Sequence, residues 1–334
     1  MKITSWNTTN ACNLACAHCY RDSGEAAERE LSTEEGLRLI DEIARAGFQI
    51  MIFSGGEPLL RSDILALIRH AREVGLRPVL GTNGTLLSLE TARALQDAGL
   101  MAAGISLDSL DAAAHDRLRG QQGAWQAAVN GMQHCRAVGL PFQIHTTVMD
   151  WNEAEITQIT DFAVEIGARA HHIFFLVPTG RGEDIEDQAL ERHAYENVLT
   201  RIMSKAKNVS IEVKPTCAPQ FIRVADQVGH RQRFAKGCLA GISYCIISPR
   251  GDVQPCAYLD MPLGNVRDLP FDRIWHENDT FQKLRTAEYS GSCGQCNYRA
   301  SCGGCRARAA YYHRGDYMSA DPLCVLNREG ENDD

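Results

Sequence analysis

The stretch Cys12-Asn13-Leu14-Ala15-Cys16-Ala17-His18-Cys19-Tyr20 decides how the rest of the chain is read. Its three cysteines stand at C-x3-C-x2-C, and no fourth cysteine follows at a matching spacing. Zinc and ordinary electron-transfer clusters take four protein ligands, so structural zinc fits this spacing poorly. Three thiolates around a four-iron cube would leave one iron open to a further ligand.

Outward from this loop, one unit recurs through the first two thirds of the chain. An amphipathic helical stretch closes on a glycine, at Gly47, Gly75, Gly99, Gly139 and Gly167, each suited to the left-handed residue that ends a helix. Apolar runs follow at 48–54, 77–82, 101–106, 141–148 and 170–176, and their near-continuous apolar character predicts buried parallel strands. Residues 3–7 supply the opening strand. Ser32-Thr33-Glu34-Glu35 reads as a capping box before Leu37, Ile40, Ile43 and Ala44. The result is an α/β chain, most simply a partial (β/α)6 barrel, although a doubly wound sheet shares the pattern. The expected boundaries are a barrel over 1–210, a linker over 211–237, a cysteine-rich domain over 238–326 and a polar, frayed tail over 327–334. A last short strand, 211–214, opens the linker, which Pro215 and Pro219 then break.

Polar residues gather at the ends of the predicted strands, where parallel α/β folds carry their chemistry. They are Ser54-Gly55-Gly56-Glu57-Pro58, Gly81-Thr82-Asn83-Gly84, Ser106-Leu107-Asp108 and His145-Thr146-Thr147-Val148. Any one of them reads as an ordinary turn. Four in series at one end of a sheet predict a shared site.

The chain has 334 residues, room for one large domain and a smaller one. Hydrophobic residues make up 44%, enough for a core. A net charge of −8 argues against an extended nucleic-acid surface but not against an anionic small molecule in a basic pocket. No apolar run is long enough to cross a bilayer, and the first residues do not form a signal peptide. Thirteen cysteines without an export signal point to metal or redox chemistry in a reducing cytoplasm.

Eight of those cysteines lie in the C-terminal third: Cys238, Cys245, Cys256, Cys293, Cys296, Cys302, Cys305 and Cys324. They suffice for two four-cysteine sites, and alone they suit zinc knuckles as well as iron–sulfur clusters. The N-terminal triad tips the balance to iron.

The triad, the Gly-Gly-Glu-Pro turn and the pattern C-x12-G-x4-C, C-x2-C-x5-C and a final cysteine together resemble a radical S-adenosylmethionine (SAM) enzyme with a C-terminal SPASM domain. The resemblance spans essentially the whole chain. Ser5-Trp6-Asn7-Thr8-Thr9, Pro178-Thr179-Gly180-Arg181 and the run 302–309 resemble the NirJ and Ahb enzymes, which trim tetrapyrrole side chains in haem d1 synthesis and in the siroheme-dependent route to haem. One departure stands out: Cys302 and Cys305 are separated by two residues, where SPASM domains usually have three.

The resemblance implies SAM and three [4Fe-4S] clusters. Cys12, Cys16 and Cys19 would hold the cluster whose open iron chelates SAM. Cys238, Cys245, Cys256 and Cys305 would hold one auxiliary cluster, and Cys293, Cys296, Cys302 and Cys324 the other, with the departure bearing on which of Cys305 and Cys324 belongs where. Gly55 and Gly56 admit a close backbone approach, so that their carbonyls receive the methionine ammonium, with Glu57 behind them. By resemblance Thr82, Asn83, Ser106 and Asp108 would bond the ribose or the SAM carboxylate. Arg119 is the candidate cation for that carboxylate, against a surface arginine. His18 and Tyr20 would touch the adenine, although His18 also suits a structural role. One of His171 and His172 faces into a barrel and is a candidate to ligate a substrate iron or steer a propionate, against simple packing. Arg181 is a candidate partner for a substrate carboxylate. Cys135 reads as buried and apolar. Cys217, in Pro215-Thr216-Cys217-Ala218-Pro219, is either a structural loop cysteine or a thiol that returns a hydrogen atom to a substrate radical.

The expected activity is radical modification of an iron tetrapyrrole, by oxidative decarboxylation or by removal of a propionate or acetate arm. A reductant such as ferredoxin or flavodoxin would supply electrons, with no nucleic-acid or membrane partner. Peptide maturation is the alternative within the family. A triad starting at residue 12 leaves no room for the N-terminal peptide-recognition domain that such maturases often carry, which favours a small substrate. A zinc-stapled binding module is the alternative outside it.

Overall fold

A computed structural model describes residues 1–231 and 233–327, so the expected frayed tail lies outside the described residues except for Asn327. Nine strands form one sheet among these residues. They are β1 (Ile3–Asn7), β2 (Ile50–Ser54), β3 (Arg77–Thr82), β4 (Ala102–Ser106), β5 (Phe142–Val148), β6 (Ala170–Phe175), β7 (Glu212–Thr216), β8 (Tyr244–Ile247) and β9 (Val253–Gln254). Helices α1 (Thr33–Arg45), α2 (Ile64–Glu73), α3 (Leu89–Asp97), α4 (Ala112–Arg119), α5 (Ala124–Val138), α6 (Ile156–Ile166), α7 (Arg192–Ala206) and α8 (Phe221–Gln227) connect the first eight strands. The C-terminal part adds α9 (Phe271–Glu277), α10 (Asp279–Thr286), α11 (Gly291–Gln295) and α12 (Arg306–Tyr312).

The strand order is β7-β6-β5-β4-β3-β2-β1-β8-β9, with every pair from β7 to β8 parallel and only β9 antiparallel. Each new strand from β1 to β7 is added on the same side. A doubly wound sheet would reverse direction at a switch point, so this is a singly wound partial barrel. The five predicted helix-closing glycines all take positive φ, from 76° at Gly47 to 91° at Gly99.

Alternation along the strands sorts their side chains between the barrel lumen and the helical layer. On β1, Thr4 and Trp6 are fully buried, while Ile3 and Ser5 line a central cavity. On β2, Met51 and Phe53 join one large core with Leu39, Ile40 and Ile43 of α1, while Ile52 and Ser54 face the cavity.

The expected last short strand is present as β7, and two features tie the expected linker and the cysteine-rich segment to the barrel. Residues 211–237 do more than link: β7 pairs with β6 over five residues, and α8 buries Phe221, Val224 and Ala225. Pro215 is tolerated because β7 is an edge strand, whose outward side needs no N–H. In addition, β8, from the cysteine-rich segment, extends the barrel sheet by pairing with β1.

The capping box is present. The Ser32 side chain accepts from the Glu35 N–H, and Glu35 accepts from the Ser32 N–H. Glu35 also binds Arg267 through both carboxylate oxygens, tying α1 to the C-terminal part. Ser32→Ala should cost about 1 kcal/mol, read as a lower urea midpoint at unchanged slope; an unchanged midpoint would mean the cap contributes nothing.

Candidate active site

The loop that carries the triad is held at the C-terminal ends of the strands by backbone contacts. Gly56 N–H donates to the Thr9 carbonyl and Glu57 N–H to the Ala11 carbonyl, both at 2.8 Å. Ala17 N–H donates to Leu118 at 2.9 Å. Arg181 donates from Nε to the Cys16 carbonyl and from Nη1 to the Ser23 carbonyl, both at 2.9 Å. A Cβ on Gly55 or Gly56 would strike the carbonyls of Thr9 or of Asn10 and Ala11, and one on Gly180 would strike those of Cys19 and Tyr20. The glycines thus let the loops after β2 and β6 press on the backbone between residues 9 and 20.

Cys12, Cys16 and Cys19 all face one cavity of about 630 Å³, within the usual span for a small-molecule site. His18, Tyr20, Gly55, Gly56, Thr82, Asn83, Ser106 and Arg119 line it with them. His18 Nδ1 and Ser23 Oγ are buried without a protein partner, and both residues line this cavity. Two unsatisfied polar groups beside three thiols suit a polar ligand of the size and chemistry of SAM on an iron–sulfur cluster. Burial lowers the His18 pKa to about 4, so the ring is neutral. Tyr20 donates to Asn7 Oδ1 at 3.2 Å, and its ring packs on Tyr258.

Two carboxylates expected at the cofactor serve as fasteners. Glu57 is fully buried and accepts from Thr82 Oγ1, from the Asn83 N–H and from the Leu59 N–H, clasping the loop after β2 to the end of β3. Burial pushes its pKa up to about 7, against these hydrogen bonds, which pull it down. Asp108 is fully buried too. It takes Arg119 Nε at 2.7 Å and Nη2 at 2.6 Å on Oδ2, and the Thr147 N–H at 3.0 Å on Oδ1. Arg119 is therefore no surface residue, and its remaining Nη1 reaches the Cys16 Sγ at 3.8 Å. The Asn83 side chain bonds Asn13 and Thr85 and steadies the triad loop.

Of the two neighbouring histidines, His172 faces the cavity. His171 is fully buried in the opposite layer, between Thr160 of α6 and Thr146 of β5 at 2.9 Å each, and cannot meet a substrate there. His145, which opens the predicted strand-end stretch 145–148, belongs in the site by its parity with Gln143 and Thr147, which also line the cavity. Its ring stacks on His172 at 5.5 Å and 5°. Cross-strand register puts Ser106, His145, His172 and Lys214 in one row over four strands. Glu212 Oε1 lies 3.3 Å from His172 Nε2.

The C-terminal cysteines divide between two places. Cys293, Cys296, Cys302 and Cys324 surround a small cavity. Their sulfurs receive N–H groups: Asp321 N–H and Arg306 Nη2 at Cys293, Tyr298 N–H at Cys296 and Gly304 N–H at Cys302. Such donors stabilise thiolates that ligate metal. Cys238, Cys256 and Cys305 face the large cavity instead. Cys245 does not join them. It points out of the lumen from β8, is fully buried in the main core, and its Sγ lies 3.5 Å from Thr4 Oγ1. Cys217, just beyond β7, does face the large cavity. Cys135 is buried in α5, as expected. Among the described residues, no three His, Cys, Asp or Glu groups converge tightly enough to hold a single ion.

Residues 6–163 match the radical SAM superfamily, and residues 238–303 match the SPASM iron–sulfur cluster-binding domain. The AdoMet-dependent heme synthase of Nitratidesulfovibrio vulgaris is 41% identical over 97% of this chain and 92% of its own. This protein belongs to the radical SAM superfamily. The heme synthase of Methanosarcina barkeri is 40% identical, over 97% of this chain and 96% of its own. Streptococcus suis SuiB bound to S-adenosylmethionine shares the fold, with a TM-score of 0.77 at 16% identity over 97% of this chain and 77% of that one. The chain is an enzyme, and its two family matches imply SAM and more than one [4Fe-4S] cluster as cofactors.

If the glycine contacts seat the triad loop, Gly56→Ala should displace it and remove about four irons per chain, along with formation of 5′-deoxyadenosine. Gly47→Ala, where a Cβ meets nothing within 4 Å, should keep its iron and lose only about 1 kcal/mol of stability. Equal iron in Gly56→Ala and the parent would refute the seating role.

Proposed function

We propose that this enzyme converts propionate arms of an iron porphyrin to vinyl groups in a haem pathway, as a cytoplasmic protein fed by a small reductant such as ferredoxin or flavodoxin. The observation that carries the reading is the single cavity running from the triad to the row of Ser106, His145, His172 and Lys214. At one end sit the groups suited to SAM. At the other, neutral imidazoles and a lysine suit a macrocycle that carries both a metal and carboxylates. The lysine faces Glu212 and packs over the Phe234 ring at 4.4 Å, where burial lowers its pKa. The two relatives at about 40% identity are named AdoMet-dependent heme synthases, which supports a SAM-dependent step of haem synthesis.

Bound SAM and its cluster would supply a 5′-deoxyadenosyl radical, and two auxiliary clusters a one-electron acceptor. The arm –CH2–CH2–COO⁻ loses one hydrogen atom, carbon dioxide and one electron to become –CH=CH2. In this reading Lys214 and His172 orient the arm, His18 meets the adenine of SAM, and Arg181, which lines the same cavity, positions the triad loop through its bonds to the Cys16 and Ser23 carbonyls.

Anaerobic incubation with SAM, dithionite and iron-coproporphyrin, followed by mass spectrometry, tests the reading. The expected product has lost one carbon dioxide and two hydrogens per arm, with one 5′-deoxyadenosine formed for each. Lys214→Gln should raise KM for the porphyrin about tenfold or more. Deoxyadenosine without any change in the porphyrin would overturn the substrate and turn attention to peptides.

A further inference from the structure

We infer that Cys217 is the fourth thiolate of the auxiliary cluster held by Cys238, Cys256 and Cys305, in the place that Cys245 would fill by sequence spacing. Three observations on the molecule converge on it.

The first is position. Cys217, Cys238, Cys256 and Cys305 line the same cavity, whereas Cys245 is absent from its wall. Its neighbours Tyr244 and Ile246 do line that wall, so the alternation of β8 turns the Cys245 sulfur to the far side of the sheet. Reaching the cavity would require a one-residue slip of β8 against β1, which would carry Tyr244 and Ile246 into the core. Cys217 and Cys256 instead pack on the small cluster of Val177, Leu259, Cys305 and Ala307.

The second is backbone geometry. Cys217 has φ of 59°, a left-handed conformation that a non-glycine residue adopts at a cost of roughly 1 kcal/mol or more. Glycine would relieve that cost, so the side chain is kept for its own use.

The third is the support beneath it. Arg308 Nη1 donates to the Cys217 carbonyl at 2.8 Å, and Nε and Nη2 of the same guanidinium grip Asp321 at 2.9 and 2.7 Å. Asp321 Oδ2 in turn takes the Cys305 N–H at 2.7 Å and Gln220 Nε2 at 2.8 Å. Both members of the ion pair are buried, 1% and 0% exposed. One charge pair therefore fixes the backbones of Cys217 and Cys305 with respect to each other, as the supporting contacts of a metal site do. Cys245 has no such support; its neighbours are Thr4 and the apolar core.

A cube with four protein thiolates has no iron left for a substrate donor. The cluster nearest the cavity would then act on the substrate only by electron transfer, and the macrocycle would be bound by side chains. The inference also removes Cys217 as a free thiol that could return a hydrogen atom.

The test compares full-length Cys217→Ala, Cys217→Ser and Cys245→Ala with the parent, each reconstituted anaerobically, by iron and sulfide content and by electron paramagnetic resonance of the reduced clusters. Cys217→Ala should lose about four of about twelve irons, or keep them with one auxiliary signal altered. Cys217→Ser, which supplies an oxygen ligand in the same place, should retain iron with a shifted signal, and it serves should the alanine variant fail to fold. Cys245→Ala should match the parent in iron and spectrum. Parent-like spectra in both Cys217 variants, or loss of a cluster in Cys245→Ala alone, would overturn the inference. The readout is iron and not porphyrin turnover, so it stands or falls apart from the substrate reading.

Discussion

Backbone-to-backbone contact between the triad loop and the glycine turns at the strand ends is the constraint on which the site depends. Three thiols on a loop of no regular structure have no fixed spacing of their own. They acquire one because Gly56 and Glu57 donate to the Thr9 and Ala11 carbonyls, and because Arg181 grips the same loop from the far side of the barrel. Side chains at Gly55, Gly56 and Gly180 would push the loop away. The open corner of the site thus follows from a backbone fit that only residues without a Cβ allow.

A second clamp organises the C-terminal cysteines. The buried Arg308–Asp321 pair is joined through Gln220 to the Tyr195 hydroxyl, at 2.6 Å, and so reaches from α7 to the loop beyond β7 and to the start of α12. Buried pairs are expensive to form and do little for net stability, but losing one partner leaves an uncompensated charge. Their use here is geometric: the pair sits between the cavity cysteines and the separate group that includes Cys293 and Cys324. The sheet agrees with this arrangement. With β8 and β9 at one end of the sheet and β7 at the other, Cys217, Cys238, Cys256 and Cys305 come round one opening.

Much of this was legible in the sequence, for identifiable reasons. Strands β1 and β3 fall on the predicted residues, and for β3 the reason is Gly75 closing the helix before it and the apolar run that follows. The capping box at Ser32 is local chemistry and reads directly. Which way a residue faces was legible only where one side of a strand is polar. His171 and His172 sit on a strand covered on both sides, so pattern alone does not fix their directions; the contacts of His171 with Thr160 and Thr146 do. Glu57 and Asp108 looked like ligand contacts because they stand at strand ends, but the N–H groups of neighbouring loops and Arg119 claim them first. Cys245 illustrates the limit of spacing. Its place is set by β8 pairing with β1, some 240 positions away in sequence, and no local signal carries that information.

The central claim is that SAM and the macrocycle share one cavity, with the reacting arm within reach of the radical. The most direct test is an incubation with iron-coproporphyrin deuterated at the propionate carbon next to the ring, with the 5′-deoxyadenosine then analysed by mass spectrometry. A shared cavity predicts that each vinyl group formed leaves one deuterium in the deoxyadenosine. Vinyl product accompanied by unlabelled deoxyadenosine would place the hydrogen abstraction elsewhere and contradict the account.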